Sequence, residues 1–214
     1  MKISILLAHP NPGSFNHAIA AAAESELQQG GHIVRLHDLC EEQFNPLLPA
    51  AELARDAQLG SAIRQHCYEI VEADGIIIVH PNWWGMPPAI LKGWIDRVLR
   101  QEVAYRFAPN AKGEVVGQGL LRAHSAIVFN TANTPDEAER LLYGDPLETL
   151  WKKCVFGLCG VKRVERRNFS PVIVSTPRQR SQWLAEVRQI VGAHFPPEKQ
   201  PQASTAARLT ANAK

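Results

Sequence analysis

The sequence predicts an α/β domain, a doubly wound parallel sheet of five strands in the order 2-1-3-4-5 with helices on both faces. Two observations carry that reading. Three short runs rich in Ile and Val barely alternate, as strands do when both faces of a parallel sheet are buried: Ile3-Ser-Ile-Leu-Leu-Ala8, Gly75-Ile-Ile-Ile-Val-His80 and Ser125-Ala-Ile-Val-Phe-Asn130. Segments of helical periodicity separate them, and strands that alternate with helices indicate parallel pairing through crossovers.

In chain order, the first strand gives way to an alanine-rich helix over residues 17–29, stopped by Gly30-Gly31. A second strand is expected over 32–37. Leu59, Ile63, Cys67, Ile70 and Val71 then recur at helical spacing and predict a helix over 57–73. After the strand at 75–80, a helix over 88–99 has prolines at its entry and apolar positions Ile90, Leu91, Trp94, Ile95 and Val98. Gly93 inside it costs about 1 kcal/mol against Ala, and close packing on the sheet would account for it. Beyond 125–130, another helix is expected over 146–158 and a polar edge strand over 161–168. Ser175-Thr176-Pro177 reads as cap plus first-turn proline of a last helix carrying Trp183, Leu184, Val187, Ile190 and Val191. Residues 1–195 form the expected domain, and 196–214, rich in Pro, Gln, Ala and Thr, a mobile tail.

Composition narrows the function classes. The chain has 214 residues, 45% of them apolar and 21% charged, with a formal net charge of +2, too mild a basic balance to predict nucleic-acid binding. No run approaches the length of a membrane span, and the apolar N-terminus is too short for a signal peptide. Cys40, Cys67, Cys154 and Cys159 have no CxxC spacing and suit a reducing compartment, so the expectation is a soluble cytoplasmic protein. The histidines show no zinc-site spacing, and no metal is predicted. Gly117-Gln-Gly-Leu-Leu-Arg122 lacks the third glycine of a dinucleotide fingerprint and precedes a strand, and no GxSxG elbow occurs. The basic pairs Lys162-Arg163 and Arg166-Arg167 read as a solvated edge strand.

In this topology, ligands bind outside the carboxyl ends of the strands, where the winding reverses. Three loops leave the sheet there. His9-Pro-Asn-Pro-Gly-Ser-Phe-Asn16 runs into a helix; its backbone N–H groups, the helix dipole and the side chains of Ser14, Asn16 and His9 suit an anion, although a plain capped turn fits the same residues. His80-Pro-Asn-Trp-Trp-Gly-Met-Pro-Pro88 places two adjacent indoles at a strand end, to be covered by core, by a partner chain or by a flat ligand. The third loop, 131–144, opens with Thr131-Ala-Asn-Thr134, small and polar groups suited to a ring edge or to an ordinary turn.

Taken together and in order, these segments resemble the flavodoxin-like NAD(P)H:quinone oxidoreductases. The resemblance runs through Leu6-Leu-Ala-His-Pro10, Ser14-Phe-Asn16, Pro81-Asn-Trp-Trp84, Pro88-Ala-Ile-Leu-Lys-Gly-Trp94, Ala104-Tyr105, Thr131-Ala-Asn-Thr134 and Gly144-Asp-Pro-Leu-Glu-Thr-Leu-Trp151, over about residues 2–195. It implies His9, Ser14, Phe15 and Asn16 at the phosphate of a flavin. Pro81, Asn82, Trp83 and Trp84 would frame the ring together with Thr131, Ala132, Asn133 and Thr134. It further implies a homodimer whose second copy brings Tyr105 and Phe107 over the ring as substrate-binding residues. The implied reaction is two-electron reduction of a quinone or similar flat electrophile by NAD(P)H, in two half-steps through one pocket.

Three departures stand out. Mammalian members use a tyrosine and a histidine as a proton relay; here Tyr143 stands where that histidine would be, the one catalytic candidate. Gly85 replaces an aromatic. The connection over 44–61 is shorter than in FAD-binding mammalian members, so FMN and FAD both stay open. Two other classes fit the same fold: an ancillary subunit of a potassium-efflux transporter, and a small single-electron carrier, which would ordinarily be more acidic.

Overall fold

The apolar runs become strands in a computed structural model that describes residues 1–197. In chain order these are β1 (Lys2–Leu7), β2 (Ile33–Asp38), β3 (Gly75–Pro81), β4 (Tyr105–Pro109), β5 (Val115–Gly119), β6 (Ser125–Thr131) and β7 (Arg163–Phe169). β1, β2, β3, β6 and β7 form one parallel sheet in the order β2-β1-β3-β6-β7, which is the expected 2-1-3-4-5 once β4 and β5 are set aside. Those two pair with each other as an antiparallel hairpin that the sequence reading did not contain.

The helices are α1 (Phe15–Gln29), α2 (Ser61–Glu72), α3 (Ala89–Val98), α4 (Asp136–Tyr143), α5 (Pro146–Thr149), α6 (Phe156–Cys159) and α7 (Pro177–His194). Because side chains alternate along a strand, the central strands feed two cores. Leu6, Ile76, Ile78, Ala126 and Val128 pack under α2 and α3 with Trp94 and Trp151. Ile5, Leu7, Ile77, Val79, Ile127 and Phe129 pack under α1 and α7 with Ile19, Trp183 and Val187. Every residue of β3 and β6 is buried, which explains their unbroken apolar character.

Several expectations shift. The 57–73 helix begins at Ser61, after Gly60. The 146–158 helix is broken into α5 and α6 by a wider π turn over Leu150–Val155. Residues 131–144 are not a continuous loop: α4 forms within them, with Asp136, Glu137 and Glu139 in its first turn and Gly144 closing it at φ 72°. Gly93 is explained by a different neighbour from the sheet: a Cβ there would meet the backbone of Pro46 at 2.2–2.4 Å. That close approach, with the Arg97–Glu52 ion pair at 2.6 Å, fastens the 44–61 connection onto α3. The expected tail lies, from residue 198 onward, outside the described residues.

Candidate flavin site

The carboxyl ends of β1, β3 and β6 open side by side, and the three loops singled out by sequence leave from them. Ser14 caps α1, its hydroxyl accepting the His17 N–H at 3.4 Å. The loop spends several of its own donors internally: Asn11 N–H on His9 Nδ1, Gly13 N–H on Asn11 Oδ1 and Ser14 N–H on the Asn11 carbonyl. The anion site expected from exposed backbone groups therefore narrows to the N–H groups of Phe15 and Asn16 with the side chains of His9 and Ser14. Phe15 offers only its backbone, since its ring packs edge-on against Phe169 and against Trp183 in the core. Burial pulls the pKa of His9 below the ordinary histidine value.

Asn16 ties this loop to the third. Only 2% exposed, it donates from Nδ2 to Thr131 Oγ1 at 2.9 Å, while its Oδ1 is buried without a partner. The third loop is tied to the second by the Asn82 N–H, which donates to the Thr131 carbonyl at 2.7 Å. Asn82 Nδ2 reaches Glu139 Oε1 at 3.0 Å, and Asn82 Oδ1 is a second buried acceptor without a donor.

Trp83 and Trp84 leave the core entirely. Trp83 and Met86 exchange backbone hydrogen bonds in a tight turn, and Trp84 is fully exposed at φ 57°. A cavity of about 410 Å³ opens beside it, lined by Asn82, Trp84, Gly85, Ala132, Asn133, Thr134, Glu139, Tyr143 and Pro146. Six of these nine come from the residues singled out by sequence. Gly85, Glu139 and Pro146 complete the wall. The sequence signal for Glu139 was Pro135 followed by acidic residues, the opening of a helix; Gly85 lies within a quoted motif, at φ 71°, with Pro146 Cγ 2.7 Å from where a Cβ would stand. Asn133 Oδ1 accepts the Ile173 N–H at 3.0 Å, fixing the outer rim.

Next to His9 lies a smaller pocket of about 260 Å³, lined by His9, Pro10, Pro12, His17, Asp38, Cys40 and Glu41. Larger clefts exist elsewhere, so volume does not choose the site. The choice rests on the convergence of the ends of β1, β3 and β6, where three loops meet around the cavity that exposes Trp84. Tyr105 and Phe107 do not reach this cavity within one chain. They lie on β4 with rings 5.7 Å apart, Phe107 half exposed.

Behind the site, His80 is fully buried. Its Nδ1 donates to the Pro81 carbonyl at 2.8 Å, and its Nε2 accepts from Asn130 Nδ2 at 2.7 Å and Trp151 Nε1 at 2.9 Å. Burial drives this ring down to a pKa of about 4. Arg166 continues the network to Asn130 Oδ1, Asp145 and Glu148, with its side chain only 7% exposed. The solvated edge expected for the basic pairs therefore fails at Arg166.

A grouping that spacing missed joins His37, Glu42 and His66, whose ligand atoms fall within 4.8 Å. Their protons are already committed. Trp94 Nε1 donates to His66 Nδ1, so the neutral His66 ring carries its proton on Nε2, facing Glu42. His37 lies between Glu42 and Glu69.

The family model for the flavodoxin-like fold matches residues 1–191. A Haemophilus influenzae protein named as an uncharacterized NAD(P)H oxidoreductase is 36% identical, over 80% of this chain and 85% of its own. The human ribosyldihydronicotinamide dehydrogenase [quinone] is 30% identical, over 81% and 84%. Among solved structures, an NAD(P)H:quinone oxidoreductase from Methanothermobacter marburgensis superposes with a TM-score of 0.73 at 25% identity, covering 89% of this chain and 95% of that one. The chain belongs to the flavodoxin-like fold family, and its homologues there are NAD(P)H oxidoreductases and quinone reductases.

Proposed function

We propose that this protein is a flavin-dependent NAD(P)H oxidoreductase that reduces quinones or similarly flat electrophiles by two electrons. The carrying observation is the 410 Å³ cavity in which Asn82, Trp84, Ala132, Asn133, Thr134 and Tyr143 meet at the carboxyl ends of β3 and β6. The oxidoreductase names of the relatives favour the enzyme over a transporter subunit or an electron carrier.

The residues present fit a flavin. His9, Ser14, Asn16 and the Phe15 backbone would hold its phosphate. Pro81, Asn82, Trp83 and Trp84 on one side, and Thr131, Ala132, Asn133 and Thr134 on the other, would frame the ring. Bound there, the flavin would supply two-electron exchange between NAD(P)H and the acceptor. The chain's own work is positional and electrostatic. The His80 network fixes the start of the Pro81 loop, the Asn82–Glu139 contact holds one rim, and Trp84 offers a flat apolar face. Tyr143 presents a phenol to the cavity, where it can hold a proton beside the acceptor.

A homodimer completes the pocket in this reading, with Tyr105 and Phe107 of a second copy over the ring. The exposed Phe107, on a hairpin remote from its own chain's cavity, supports it. Cytoplasmic location is supported by four cysteines without a disulfide, and no helix of the described residues is long and apolar enough to cross a membrane. FMN and FAD share the ring and the first phosphate that these residues would hold.

Steady-state kinetics test the proposal. NADH or NADPH oxidation should depend on a quinone and give parallel double-reciprocal lines, the pattern of one pocket used in turn. A flavin-loaded protein that passes no electrons to quinones would refute it.

A further inference from the structure

Ser14, His17 and Asp38 form a continuous hydrogen-bonded line at the head of α1, where His17 and Asp38 line the small pocket beside His9. Ser14 Oγ lies 2.8 Å from His17 Nδ1, and His17 Nε2 lies 2.8 Å from Asp38 Oδ2. Asp38 is buried, and its other oxygen accepts the N–H groups of Cys40 and Glu41 at 3.0 and 3.2 Å. No sequence motif marked His17 or Asp38, and the reading of the site so far leaves both without a role.

We infer that His17 sets the direction of the Ser14 hydroxyl, and that seating a phosphate against Ser14 draws a proton onto the His17 ring. The inference rests on the proposal that this loop holds the phosphate of a flavin. Its logic is donor and acceptor counting. Asp38 Oδ2 can only accept, so a neutral His17 ring keeps its one proton on Nε2. Nδ1 then carries a lone pair, and the only hydrogen between Nδ1 and Oγ is that of the serine. The Ser14 hydroxyl is turned inward, and its oxygen shows a lone pair to any incoming anion.

A protonated ring reverses this. Nδ1–H donates to Oγ, the hydroxyl hydrogen is released toward the phosphate, and the ring adds a positive charge beside it. Phosphate and proton therefore favour each other's binding, and the coupling is reciprocal.

His9 does not share the behaviour. Its Nδ1 accepts the Asn11 N–H at 3.1 Å, so its neutral tautomer already carries a proton on Nε2, ready to donate. The groups facing His17 are His9 from the loop after β1, Ser14 from the head of α1, Asp38 at the end of β2, and Cys40 and Glu41 just beyond it. Asp38 and Glu41 oppose an anion and favour the imidazolium, so protonation of His17 also offsets their charge.

The test is calorimetric titration of the full-length protein, freed of flavin, at about pH 8, where a phosphate monoester is already dianionic. Two buffers of different ionisation enthalpy give the number of protons taken up. FMN should take up between about half and one proton per molecule bound, whereas riboflavin, which lacks the phosphate, should take up close to none. His17→Gln should bind FMN roughly tenfold more weakly with the uptake abolished. His9→Gln should weaken FMN binding and keep the uptake. Tight FMN binding without proton uptake by the unaltered protein overturns the inference and leaves the flavin site standing, as does equal uptake by His17→Gln. If FMN, riboflavin and FAD all fail to bind, the flavin reading falls and takes this one with it.

Discussion

Trp151 donates its indole N–H to His80 Nε2 at 2.9 Å, deep in the protein, and thereby fixes the tautomer of a histidine at the end of β3. With Nδ1–H on the Pro81 carbonyl and Nε2 accepting twice, the ring is held neutral, and a proton added to Nε2 would face two donors. Burial drives both His80 and His66 from 6.5 down to about 4. The unfolded chain therefore binds protons below about pH 6.5 that the native protein refuses until about pH 4. Stability from these two rings is complete above 6.5 and declines as the pH falls to 4, by about 3 kcal/mol each at the limit. Urea midpoints measured from about pH 7.5 down to 4.5 should fall steeply; a flat profile contradicts the assignment.

In the proposed site Trp84 offers the ligand face without supporting the fold. Its side chain is fully exposed, so Trp84→Ala should change the unfolding free energy by less than about 0.5 kcal/mol. Flavin content after purification and quinone turnover should both drop. Unchanged flavin content would remove Trp84 from the site.

Gly85 serves the same turn in another way. At φ 71°, with Pro146 Cγ 2.7 Å from its would-be Cβ, Gly85→Ala meets both backbone strain and a clash. A loss of about 1–3 kcal/mol is expected, measured as a lower Tm, together with weaker flavin retention because Trp84 adjoins it.

Arg166 links the edge strand to the floor of the site. Arg166→Gln leaves Asp145 and Glu148 without their guanidinium and Asn130 Oδ1 without a donor. About 3 kcal/mol of stability should be lost in chemical denaturation, with less effect for Arg163→Gln on the exposed end of the same strand.

The sheet was legible because β3 and β6 are buried on both faces, which forces an unbroken apolar run that no exposed segment imitates. The β4–β5 hairpin was not, since its residues are exposed or only half-buried, carry no apolar run, and include Gly117 and Gly119. α4 escaped notice for a related reason. Leu141 and Leu142 are exposed and Tyr143 borders the open cavity, so it lacks the buried apolar stripe that advertises a helix, and only its acidic first turn and Gly144 mark it. Among site residues, Trp84 and Thr134 announced themselves as loop composition at strand ends. Glu139, His17 and Arg166 did not, because their roles come from partners 57, 21 and 36 positions away. Gly93 was noticed as an anomaly and assigned the wrong neighbour, for which only the path of the 44–61 connection could substitute Pro46.

The central claim is that a redox-active ring occupies the cavity beside Trp84. Anaerobic addition of NADH or NADPH to the purified protein tests it most directly. Absorbance at about 450 nm should bleach by the amount of bound flavin and return on adding one equivalent of a quinone. A preparation that carries no flavin, takes none up, and shows no such bleaching contradicts the account.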